Sequence, residues 1–149
     1  METGRNKILR ILFLLYAAGL LWVLFARNRY DPALPYWEQV HRYLNLRPME
    51  TIGLYWRLLT DPVRPVLTRL AVYNLAGNVL LFVPMGALLP IVIPKLGSFF
   101  RTMLAVCCAV ALAEILQVLC LAGSCDIDDL ILNLIGTGIG YPFSRLLKA

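Results

Sequence analysis

Four apolar runs, at roughly 8–26, 70–93, 102–122 and 127–147, restrict the fold of this chain more than any other feature. A helix needs ~20 residues to cross a hydrocarbon core, and each run supplies about that many. Backbone polar groups in lipid must be satisfied within the structure, so runs of this kind become helices. Charged residues make up 15% of the 149 and hydrophobic ones 60%, a balance far from that of soluble globules. The expected fold class is all-α: a single polytopic membrane domain, 1–149, with four transmembrane helices. The first run follows Arg5, Lys7 and Arg10, as a secretory signal would. Leu24-Phe-Ala-Arg27 offers no small-residue cleavage site, however, so the run is read as a retained helix.

Polar side chains inside such helices are costly and require partners. They recur at helical spacing in three runs: Asn74 and Asn78; Glu114 and Gln117; Asp126, Asp129, Asn133 and Thr137. Steps of three and four residues place the last set on one helical face with Gly136 and Gly140. The turn at Ala122-Gly-Ser-Cys125 makes the final two helices antiparallel, levelling Glu114 with Asn133 and Gln117 with Asp129. Two crossings separate the first loop from this turn, so both face one compartment whichever way the chain is oriented. The polar residues are therefore expected to converge in one half of the membrane, with Glu114 ~15 Å below the turn. Pro84 is expected to kink or break the second membrane helix. Interhelical packing, with Gly136 and Gly140 as a small-xxx-small pair, is the competing explanation for the polar residues. Eight such residues exceed what packing needs, which favours a polar cavity that binds a ligand.

The net charge of +5 rests largely on arginine, and Arg27, Arg29, Arg42, Arg47, Arg57, Arg64 and Arg69 all lie between the first two membrane helices. No soluble domain accompanies them, so a nucleic-acid partner is not expected. Anionic lipid headgroups or phosphates are the better counterparts, with Arg57, Arg64 and Arg69 steering them. The same loop is aromatic and is predicted to hold short interfacial helices at 36–44 and 51–59. His41, the lone histidine, reads as a surface residue of the first of these. Basic residues tie between the two sides of the membrane. Three precede the first helix and none lies in the third loop, so both termini are placed in the cytoplasm. Cys107, Cys108, Cys120 and Cys125 follow no metal-binding spacing and read as free thiols.

Three blocks in order, Asn74-Leu-Ala-Gly-Asn-Val-Leu-Leu-Phe-Val-Pro-Met-Gly86, Glu114-Ile-Leu-Gln117 and Asp126-Ile-Asp-Asp-Leu-Ile-Leu-Asn-Leu-Ile-Gly136, resemble the VanZ-like family of bacterial membrane proteins. Asn45-Leu-Arg-Pro-Met-Glu-Thr-Ile52 resembles a stretch often found upstream in that family. The resemblance implies a multi-pass protein of the bacterial plasma membrane that acts at the cell envelope. The family's namesake is associated with low-level resistance to the glycopeptide teicoplanin. One departure stands out: many members carry a basic residue shortly before the Asp-x-Asp-Asp block, where this chain reads Ala122-Gly-Ser-Cys125. Either a loop arginine substitutes, or that role is absent.

The expected function is to bind an amphiphile, such as a lipid-linked phosphate or a lipid-tailed glycopeptide. Asn74, Asn78, Glu114, Gln117, Asp126, Asp129 and Asn133 would hold its headgroup, under Arg57, Arg64 and Arg69. No cofactor is expected. If a divalent cation binds, Glu114, Asp126 and Asp129 supply its oxygens. An enzyme doing metal-assisted chemistry on a lipid phosphate is the less favoured alternative, since no nucleophile–base pair is evident. A small transporter or flippase is the third, requiring a homo-oligomer that the Gly136/Gly140 face would support.

Overall fold

The computed structural model describes residues 4–60 and 65–148. Four helices are long and apolar enough to cross a membrane: α1 (Gly4–Phe25), α4 (Pro65–Val92), α5 (Phe99–Leu119) and α6 (Ile127–Lys148). The chain is a multi-pass membrane protein of all-α class. Between α1 and α4 lie the short helices α2 (Tyr36–Arg42) and α3 (Glu50–Leu59), as the aromatic loop pattern predicts. The only strands among the described residues, β1 (Leu44–Asn45) and β2 (Cys125–Asp126), pair in parallel. That ladder joins the first loop to the α5–α6 turn and confirms that the two share one side of the bundle.

The helix ends follow local chemistry. Pro65 opens α4, where its missing N–H is no loss. Ser98 caps α5, its Oγ accepting from the Arg101 N–H at 3.4 Å. At the far end of α5 the Ala122 N–H donates to the Gln117 carbonyl at 2.8 Å and Leu121 N–H to Val118 at 3.2 Å, the two bonds of a Schellman motif. The left-handed position of that motif is held by Leu121, at φ 51°, where glycine is usual. Tertiary contacts stabilise it there. The Leu121 side chain is buried with Val40, Val118 and Cys125, and its carbonyl accepts from the Arg29 N–H at 2.8 Å.

The bundle is built on α4 and α6, which run parallel and make its most extensive contact. Glycine permits that approach. A Cβ on Gly136 would fall on the Val79 carbonyl, one on Gly140 on the Val83 carbonyl, and one on Gly86 on the Thr137 carbonyl. The Gly136/Gly140 face is therefore filled within the chain, by Val79 and Val83. The expected break at Pro84 is absent, for α4 is one helix from Pro65 to Val92. The close approach of α6 supports it there, and the Tyr16 hydroxyl ties α1 to the turn before Pro84 by donating to the Leu81 carbonyl at 2.6 Å. Tyr16→Phe should cost about 1 kcal/mol, the net worth of one such bond. A lowered unfolding midpoint in detergent would show it. α1 buries only Leu20 fully, against Phe82, Leu89, Val106 and Val110, and turns most of its apolar surface outward, as suits lipid.

Candidate functional site

Beside the α5–α6 turn, α1, α4, α5 and α6 enclose a polar cavity of about 130 Å³. Asn74, Asn78, Glu114, Gln117, Asp129 and Asn133 all line it. Six residues singled out by helical spacing thus meet in one place. Glu114 and Gln117 are buried on α5, and Asn133 is only 2% exposed on α6. Asn78 donates its amide to Asp129 Oδ1. Gln117 donates to the Leu24 carbonyl at 2.7 Å, tying α5 to the end of α1, and Asn74 donates to the Leu70 carbonyl at 2.8 Å. Glu114 Oε2 accepts from the Asp126 backbone N–H at 3.0 Å. Among the described residues, Asn133 Oδ1 is the buried side-chain polar atom left without a partner.

An apolar groove of about 310 Å³ lies between α1, α4 and α5. Leu24 belongs to both walls. Along each helix the lining changes from polar to apolar in the same direction. On α1 it passes from Arg27 to Leu20 and Phe13, on α4 from Asn78 to Phe82 and Leu89, and on α5 from Glu114 to Val110 and Val106. The polar space thus lies near the loop and the apolar one deeper along the bundle.

Asp126 stands apart from the other predicted lining residues. It lies in β2 ahead of α6, not on the helical face shared by Asp129 and Asn133. Its Oδ2 accepts from Thr51 Oγ1 at 2.5 Å and Asn45 Nδ2 at 3.3 Å, and its Oδ1 accepts from the Asp128 N–H at 2.9 Å, capping α6. Strand pairing with Asn45 turns this carboxylate toward the loop. The side chains that partner this carboxylate are thus a hydroxyl and an amide.

Asp128 was not singled out by sequence, yet it is wholly buried. Its two oxygens accept from the Met49 N–H at 2.6 Å and the Ile52 N–H at 2.9 Å. It caps α3 from across the fold, holding Met49 at φ 66°. Spacing on α6 places Asp128 off the polar face, and its partners are backbone groups that no side-chain pattern announces. Asn45-Leu-Arg-Pro-Met-Glu-Thr51 was the available signal, for that block and Asp126-Ile-Asp128 are the two halves of one lock.

The arginine expectation shifts as well. Arg57 and Arg69 do not line the cavity: Arg57 is exposed on α3, and Arg69 borders a separate shallow depression with Thr68, Val72 and Tyr73. Arg64 lies outside the described residues. The lining arginine is Arg27, two residues past α1, beside Gly123 and Ser124 of the turn. Its signal was its position immediately after an apolar run. Tyr55, half-buried on α3, has its phenol raised above its ordinary value by burial, then by the charges of Asp129 and Asp126. Burial, then Glu114 and Asp126, likewise raise the Cys125 thiol. Both mark this end of the bundle as acidic. Among the described residues no three His, Cys, Asp or Glu side chains are grouped to hold a metal ion, and all four cysteines are free thiols. Asp126 faces Asn45 and Thr51, away from the cavity that Glu114 and Asp129 share.

The sequence model of the VanZ/LLP1 family matches residues 13–148, which takes in both spaces, the lock, α4, α5 and α6 in full and α1 from Phe13 on. No curated protein and no solved structure matches the chain.

Proposed function

The chain belongs to the VanZ/LLP1 family, and from that premise we propose that it is a cell-envelope membrane protein that binds an amphiphile. The headgroup occupies the polar cavity and the apolar chain lies in the groove. The observation that carries this reading is that the two spaces share the wall residue Leu24 and follow one another along α1, α4 and α5, polar then apolar in the same direction on each. Polar groups buried in a membrane are costly and mark sites of function. Small sites of mixed polarity that bury a ligand's apolar part are the usual form of binding pockets. Reduced sensitivity to the lipid-tailed glycopeptide teicoplanin is the phenotype to expect in a Gram-positive host, exerted through a smaller bound lipid, since a glycopeptide far exceeds the cavity of about 130 Å³.

Mass spectrometry of lipids co-purifying with the protein tests the reading. Wild type should retain a lipid that Glu114→Gln, which alters the headgroup cavity, and Ala109→Phe, which fills the groove, both lose. Equal retention by all three at matched membrane abundance would defeat it.

A further inference from the structure

Resting on the amphiphile reading, we propose that the bound headgroup carries a primary ammonium, seated between Glu114, Asp129 and Asn133, with its phosphate toward Arg27. The loop arginines suggest an anionic ligand, but the cavity itself is lined by two carboxyl side chains and one guanidinium. Its hydrogen-bonding character points the same way. The amide groups of Asn78 and Gln117 already donate to protein oxygens. Glu114 Oε2 and Asp129 Oδ1 are engaged as acceptors. Among the described residues nothing donates to Glu114 Oε1, Asp129 Oδ2 or Asn133 Oδ1. These three open atoms are acceptors, and they sit on buried or half-buried side chains. A primary ammonium offers three N–H donors and no acceptor.

An unpartnered amide oxygen at 2% exposure is the independent sign of a missing donor. Burying such an atom without a bond costs about 1–3 kcal/mol, which a ligand N–H would recover. Size narrows the class. The cavity of about 130 Å³ corresponds to roughly four waters at ~30 Å³ each. An aminoethyl group fits that space and a headgroup of several sugars does not, while a trimethylammonium is disfavoured because it has no N–H to donate. Arg27, at the loop side, is placed to meet the phosphate that follows an aminoethyl group in a zwitterionic lipid. The groove below accepts one of that lipid's chains.

The test offers the purified protein an equimolar mixture of phosphatidylethanolamine, phosphatidylglycerol and phosphatidylcholine with identical chains, read by native mass spectrometry. Phosphatidylethanolamine should exceed each of the others by about tenfold, the worth of one charge-assisted bond. Asp129→Asn and Glu114→Gln should abolish the preference, and Arg27→Gln should weaken retention of the amine lipid. Retention of phosphatidylglycerol equal to or above phosphatidylethanolamine, still dependent on Glu114, would overturn the ammonium and leave the amphiphile reading standing. A parallel arm uses soluble phosphoethanolamine. If it binds in a Glu114-dependent way while no lipid is retained, the ammonium stands and the amphiphile reading falls. Binding of neither lipid nor soluble amine overturns both.

Discussion

Gly136→Ala is expected to unseat α6 from α4 and leave little folded protein, while Gly138→Ala, two residues away, should fold as well as wild type. The two glycines share a helix and a sequence context, and only their surroundings differ. A Cβ at position 136 would fall on the Val79 backbone carbonyl, which cannot swing aside as a side chain can. A Cβ at position 138 meets nothing within 4 Å. Overpacking a well-filled interior costs about 1–3 kcal/mol, and contact with backbone belongs at the upper end or beyond. At Gly138 the exchange removes only the flexibility of glycine and gains up to about 1 kcal/mol of helix propensity. Gly140→Ala, against the Val83 carbonyl, should resemble Gly136→Ala. Size-exclusion profiles after stepwise heating in detergent would rank the variants. Equal survival of Gly136→Ala and Gly138→Ala would refute the close α4–α6 approach.

Asp128→Ala should release the first loop from the bundle without removing any membrane helix. The carboxylate is buried and accepts from two backbone N–H groups in the first turn of α3. Hydrogen bonds to a charged group are worth about 1.5–3 kcal/mol each. Two of them, lost together, amount to about 3 kcal/mol at least. At 1.4 kcal/mol per decade, amide exchange at Met49 and Ile52 should rise by about a hundredfold or more. Asp128→Asn keeps one oxygen but sets an amide N–H₂ against a donor, so its effect should fall between wild type and alanine. Hydrogen exchange followed by mass spectrometry reads both, and trypsin cleavage at Arg57 gives an independent measure. Unchanged protection in Asp128→Ala would show that the β1–β2 pairing alone holds the loop.

The backbone strain in this region is consistent with such a lock. Among the described residues, Met49 and Leu121 are the non-glycine positions with positive φ. Each sits where the first loop meets the α5–α6 turn. Such conformations cost on the order of 1–3 kcal/mol and persist where surrounding contacts outweigh them. Here Asp128 holds Met49, and Arg29 with the Val40 cluster holds Leu121. The lock also serves the cavity, because the Asp126 N–H orients Glu114 from the lip of the same turn.

Much of this site was legible in the sequence. Asn74, Asn78, Glu114, Gln117, Asp129 and Asn133 are spaced for single helical faces, and antiparallel pairing across a short turn levels them. Asp126 obeys the same spacing and is nevertheless absent from the cavity, because it precedes the helix and strand pairing rotates it away. Pro84 carries the usual signature of a break, yet α4 is continuous where the glycine face of α6 packs against it. Arg57 and Arg69 were grouped with Arg27 by charge and loop membership alone, and charge says nothing about direction.

The amino-acid sequence by itself determined the number and order of the membrane helices, and the shared side of the first loop and the last turn. Those follow from span length and from counting crossings, which are properties of the chain's order. Only the tertiary structure decided which carboxylates line the cavity and which act as caps. Asp129 faces Asn78 across the cavity, whereas Asp128, one residue earlier, reaches a backbone N–H 79 positions away. Neighbours on a helix differ by ~100° in direction, so their roles depend on what is packed on each side, and contacts between distant segments set that packing.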